Sequence, residues 1–244
     1  MIRAASGVIL ALSLAACPGP VREPTPSAPP AQPAIPRESP APPAGGQVAP
    51  AGARTYRVVP EESLLLVLAY RGGALARAGH NHVIASREVS GTVRLATDVT
   101  QSLVDLKIPV STFTIDDRDL RLEQGTDFPP DVPESAKEGT RKNMLGAGLL
   151  DSEHFPAIQL RTEKIVVAAP GALQMTCQVT VRDQTRSIVV PVTYRQVGAE
   201  LRAEGELQLK QSELGLTPFS VMMGALQVQD DMRVQFRIVA RAPR

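Results

Sequence analysis

The chain has 244 residues, a formal net charge of +1, no tryptophan and 3% aromatic residues. That balance offers no basic field to nucleic acid, and scarce flat rings argue against stacking on bases or sugars. Whatever interior forms has to be built from aliphatic side chains.

The first 16 residues read as a secretory signal, with Arg3 ahead of an apolar run over 8–14 that is too short to span a bilayer. Leu14, Ala15, Ala16 and Cys17 resemble a lipobox. This predicts cleavage before Cys17 and acylation there, which would anchor the protein in the bacterial cell envelope, facing the periplasm. A plain signal-peptidase site with an incidental cysteine is the alternative. Pro18 rather than aspartate follows, which favours the outer membrane. Residues 17–54 form a Pro/Ala-rich linker with almost nothing to bury, able to span on the order of 100 Å as polyproline II. With Cys17 lipidated, Cys177 has no partner and no disulfide is expected.

From residue 56 the hydropathy period becomes two. Residues 89–95, 103–110, 173–181, 188–194, 201–209 and 232–238 each place aliphatic side chains on one face and polar ones on the other. With short turns at 182–186 and 196–199, these read as an antiparallel meander, and closure would remove its exposed edges. The expectation over 55–244 is an all-β antiparallel barrel of about eight strands with one inserted helix. The alternation nominates Leu66, Val93, Leu106, Met175, Cys177, Val179, Val190, Ala203, Leu207 and Phe236 as inward-facing. Small inward residues such as Ala203 and Gly205 favour a hollow, ligand-sized interior over a packed one. Met222 and Met223, beside Gly224, suit an adaptable apolar rim or a gap-filling core.

The helix is expected from Asp131, with Asp131 as cap, Pro133 in the first turn and Glu134 completing a capping box. Glu134 with Lys137, and Glu138 with Arg141, are spaced to pair. Met144, Leu145 and Leu149 supply a thin apolar stripe, while Gly139, Gly146 and Gly148 weaken the helix. Asp151, Ser152 and Pro156 stop it, and a strand follows from Ile158.

His80 and His82 are the sharpest polar feature. Two apart on a strand, they would face one side and could hold a metal, meet a ligand head group or serve the local turn. A His-x-His pair alone does not close a metal site, so no cofactor is expected. Asp116, Asp117 and Asp119 lack calcium-loop spacing and read as a solvated loop. No nucleophile, base and orienter are arranged in sequence, Ser63 included, so no enzyme is expected.

The opening YRVVPEESLLLVLAY, the helix exit NMLGAGLLDSEHFPAIQLRTEKI, the hairpin CQVTVRDQTRSIVVPVTY and the ending GELQLKQSELGLTPFS together resemble the YceI-like family of bacterial periplasmic proteins. Asp151, Phe155 and Pro156 at the helix exit carry the most specific part of that likeness. The resemblance implies a lipocalin-like barrel that binds a polyisoprenoid, an isoprenoid quinone or another long-chain lipid, and it supplies no catalytic residues. Fewer aromatic residues and the GHNH segment depart from the family pattern. Two other readings stay open: a metal or redox accessory using the His pair, or a structural lipoprotein with a filled barrel. A homodimer is compatible with either.

Overall fold

Strands that are apolar on one side only are stable once a sheet closes on itself, and this chain does so. The computed structural model describes residues 52–243; the signal segment, Cys17 and most of the linker lie outside the described residues. The strands are β1 (Arg54–Val58), β2 (Leu64–Gly72), β3 (His82–Ser86), β4 (Ser90–Leu95), β5 (Leu103–Pro109), β6 (Thr114–Ile115), β7 (Ala157–Ala169), β8 (Ala172–Val181), β9 (Gln184–Val197), β10 (Glu200–Lys210), β11 (Ser220–Val221) and β12 (Leu226–Arg241). Two α-helices, α1 (Arg118–Glu123) and α2 (Glu134–Leu145), separate β6 from β7. The antiparallel order β1-β4-β5-β7-β8-β9-β10-β12 closes where β12 pairs with β1, giving the eight-strand barrel.

Strand β12 makes the closure. It pairs with β10 from Asp231 to Arg241, with β2 from Gln227 to Arg237, and with β1 at Ala240 and Arg241. At the handover from β1 to β2 the chain kinks, and the buried Ser63 hydroxyl secures it by donating to the Val59 carbonyl at 2.8 Å and accepting from the Val239 amide at 3.1 Å. Its neighbours make Ser63 a structural residue.

Strand β2 corrects one inward assignment. Leu65 and Val67 face the barrel interior, whereas Leu64, Leu66 and Leu68 form a second apolar cluster with Val83, Ala85, Leu120 and Phe128. Both faces of β2 are buried, because the extension β2-β3-β6 and α1 cover its other side. Six consecutive apolar residues carry no period, so parity could not be read from them.

The helices also depart from expectation. The stretch read as a solvated loop contains α1, capped by Asp117, whose side chain accepts from the Asp119 and Leu120 amides at 3.1 Å each. Helix α2 begins at Glu134 without a side-chain cap; Asp131 instead pairs with Arg118. Glu134 and Lys137 do meet, at 3.2 Å, but Arg141 donates to the carbonyls of Ser111 and Phe113. Met144, Leu145, Leu149 and Leu150 join the main apolar cluster with Val110, Phe113, Val181 and Leu214. The helix stops at Gly146, and Asp151, at φ 47°, turns the chain so that Phe155 lies under the Arg182 guanidinium at 5.8 Å. The Asp-to-Pro exit thus docks on the hairpin that joins β8 to β9.

That hairpin is tighter than expected: Val181 pairs with Gln184, leaving Arg182 and Asp183 as the turn. Between β9 and β10 the ladder runs only from Thr193↔Glu204 to Val197↔Glu200. Beyond it stands Pro191, which has no N–H to donate. The Pro191 carbonyl approaches Gly205 so closely that a Cβ there would lie 2.2 Å from it and 2.5 Å from the Phe236 ring. Past this point β9 is paired with β8 and β10 with β12, and a seam separates them.

Leu66→Ala should cost about 2–5 kcal/mol despite lying off the interior face, because it removes a buried side chain from the second cluster. Urea unfolding measures this, and a loss under about 1 kcal/mol would contradict the assignment.

Candidate functional site

A cavity of about 240 Å³ runs inside the barrel, and the surface presented to it is wholly apolar. On β10 its wall extends from Leu201 to Leu209, eight residue steps or about 26 Å of strand, which at barrel tilt is roughly 20 Å along the axis. Val93, Leu106, Met175, Cys177, Val179, Val190, Ala203, Leu207 and Phe236 stand in the wall. Leu66, Met222 and Met223 do not. The two methionines occupy an exposed tip between β11 and β12, at φ 53° and 55°, because Val221 pairs with Leu226 and forces a tight left-handed reversal.

The wall offers little chemistry. The hydroxyl of Ser102 accepts from the Ala96 amide at 3.0 Å. Burial, helped by the charge of Glu163, pushes the Cys177 thiol up to about 12, so it stays protonated and acts as a small apolar surface. Phe236 lies over Gly205 on the neighbouring strand and fills the space that a side chain there would take.

The second site is polar. His82 opens β3, and β6 ends at Ile115, which leaves Asp116 at φ 54° with its carboxylate turned back toward β3. The Asp116 amide donates to the Val83 carbonyl at 2.8 Å, and the Val83 amide returns a bond to Asp116 Oδ1 at 2.8 Å. Arg121 of α1 also donates to Oδ1. Oδ2 faces His82 Nδ1 at 2.7 Å and His80 Nε2 at 3.9 Å, with the imidazole centroids 4.5 Å apart. Arg121 further donates to the carbonyls of Asn81 at 2.7 Å and Pro129 at 2.6 Å, and its guanidinium sits 5.8 Å from the Phe128 ring. Both Asp116 and Arg121 are fully buried.

Electrostatics follow the packing. Burial opposes ionisation of Asp116, but the hydrogen bonds from His82 and the Val83 amide, with the charges of His82 and Arg121, outweigh it and hold the carboxyl below its usual range. Burial lowers the pKa of His80; His82, Arg121 and Arg71 add to this and Asp116 opposes it. His154 lies apart, exposed, with Nδ1 2.9 Å from Asp151.

The structure therefore brings His80 and His82 together, as their spacing suggested, but neither is among the cavity-lining residues. Any contact of theirs with a ligand head group would therefore lie outside the cavity wall. Sequence reasoning missed Asp116 and Arg121. Asp116 sits among polar residues that look like surface, and nothing local marks a six-residue helix as bearing a buried guanidinium.

The model of the YceI-like domain family matches residues 56–240. Among solved structures, BcnA of Burkholderia cenocepacia is similar at TM-score 0.57 and 17% identity, over 75% of this chain and 98% of that one. A polyisoprenoid-binding domain from Saccharophagus degradans, implicated in plant cell wall breakdown, is similar at 0.51 and 11% identity, over 77% and 98%. These two likenesses carry the fold. Comparison with curated proteins gives no match.

Arg121→Ala should destabilise the protein by about 3–5 kcal/mol, since it strands a buried carboxylate. Arg118→Ala, which breaks only the exposed pair with Asp131, should cost under about 1 kcal/mol. Denaturant midpoints of the two variants provide the comparison.

Proposed function

The chain belongs to the YceI-like domain family, and on that premise we propose that its barrel binds a long-chain apolar lipid of the polyisoprenoid or isoprenoid-quinone class. The observation that carries this reading is the cavity enclosed by the barrel strands, whose presented surface is wholly apolar. A filled barrel would leave no such space.

Magnitudes favour a long ligand over a short one. Micromolar binding is worth about −8 kcal/mol, and association itself costs at least about 4 kcal/mol. At about 25 cal/mol per Å², roughly 500 Å² of hydrocarbon must leave water to supply both together. A short alkyl group cannot offer that area, whereas a chain enclosed along its length can. With no polar side chain aimed into the lumen, selection acts on the width and length of the chain, and any head group stays outside the lining.

We place this activity in the bacterial envelope, with the protein held by acyl groups on Cys17 and the linker giving reach from the membrane surface. The lipobox-like run ending at Cys17 and the Pro/Ala-rich composition of 17–54 support this. A binding rather than catalytic role agrees with the protonated Cys177 and with the backbone-bonded Ser63.

Organic extraction of the purified protein followed by mass spectrometry should yield an apolar ligand in near-stoichiometric amount. Ala203→Trp, which places a large ring in the lumen, should lower that recovery about tenfold while leaving the circular dichroism spectrum of the strands unchanged. Wild type that yields no apolar ligand and takes up no fluorescent polyprenyl probe would overturn the reading. Separately, Cys17→Ser should shift the protein from the membrane pellet to the soluble envelope fraction on ultracentrifugation.

A further inference from the structure

We propose that His80, His82 and Asp116 form a site for one divalent first-row transition ion of the zinc class, separate from the lipid cavity. Two imidazoles and one carboxylate make a nitrogen-rich, borderline donor set. It suits zinc, nickel or copper(II), whereas calcium and magnesium want oxygen and copper(I) wants sulfur.

The geometry is close to what such an ion needs. His82 Nδ1 lies 2.7 Å and His80 Nε2 3.9 Å from Asp116 Oδ2, and the three ligand atoms fall within 4.8 Å of one another. A point equidistant from all three is therefore no more than about 2.4 Å from each, against zinc bonds of about 2.0–2.2 Å. Rotation of His80 closes the difference, because its Nε2 is buried without a hydrogen-bond partner and its ring is held only by edge-on packing against His82. That nitrogen is uncommitted at the mouth of the cluster. The His80 side chain is 31% exposed, so an ion can enter past it, and three protein ligands leave a fourth position for water.

The surroundings orient the donors. Arg121 and the Val83 amide both occupy Asp116 Oδ1, which leaves Oδ2 to act alone. On the far side of His82, the Thr140 hydroxyl donates to the Ala136 carbonyl at 3.0 Å, so its oxygen is left to accept from His82 Nε2 at 3.4 Å. This favours the tautomer with hydrogen on Nε2 and a free lone pair on Nδ1. An ion held between Nδ1 and Oδ2 takes the place of their 2.7 Å hydrogen bond. The Arg121 charge offsets the carboxylate, so the imidazoles supply most of the attraction.

The test uses the full chain, stripped with chelator and titrated with zinc alone in a calorimeter, alongside imidazole NMR spectra. One equivalent of zinc should bind and shift the ring signals of His80 and His82. His80→Ala, which removes no hydrogen bond and should fold as wild type, should weaken binding at least about tenfold, and Thr140→Val by a smaller factor. His154→Ala should leave binding unchanged. Zinc uptake no greater in wild type than in His80→Ala, or ring signals that do not move, would overturn the site. Neither result bears on lipid recovery, which reports the barrel interior.

Discussion

The backbone pairing of β12 is the constraint on which the rest depends. A one-sided sheet has a dry face that must be hidden, and its edges must be paired, covered or closed. β12 meets both needs by bordering β10 on one side while β2 and then β1 share the other, with Ser63 bonding the kink between them. Once that ring is shut, inward side chains of eight strands meet in one space whose only large rings among the lining residues are Tyr194 and Phe236. The hollow is thus a consequence of closure around slender aliphatic residues, not of any residue dedicated to holding it open.

How much of this was legible depended on whether a residue's role was written in its own strand. Met175, Cys177 and Val179, or Ala203 and Leu207, alternate against polar neighbours, so their common face follows from the period alone. Leu66 lies in an unbroken apolar run, where only the tertiary cover from α1 decides which face is which. That Met222 and Met223 form an exposed tip could not be read in advance, because two left-handed residues other than glycine have no sequence signature. Asp116 was misread because a buried carboxylate differs from a surface one only by its partners, and these come from β3 and α1. The helix was legible as an element but not in its bounds: Asp131, expected to cap it, is drawn to Arg118 on another element.

Two environments of opposite character lie near one another. The cavity wall presents no polar surface, while a separate cluster gathers a buried carboxylate and guanidinium with two partly buried imidazoles. Helix α2 touches both, with Met144 in the apolar cluster and Thr140 beside His82. Its low intrinsic helicity matters little, since its C-terminal half is held by tertiary contacts of Thr140, Arg141, Met144 and Leu145. A polar network of this kind sets one arrangement of β3, β6 and α1 against the barrel, because any other would leave Asp116 or Arg121 unpaired.

The short ladder between β9 and β10 has a mechanical meaning. In a fully laced barrel, girth is quantised: widening the wall anywhere means breaking main-chain bonds. Here, from Pro191 and Gly205 onward, the two strands are held by side chains alone, so they can part by a fraction of an ångström at the expense of dispersion contacts and nothing else. The stretch is therefore the compliant part of the wall, while the remaining strands keep the spacing that their ladders impose.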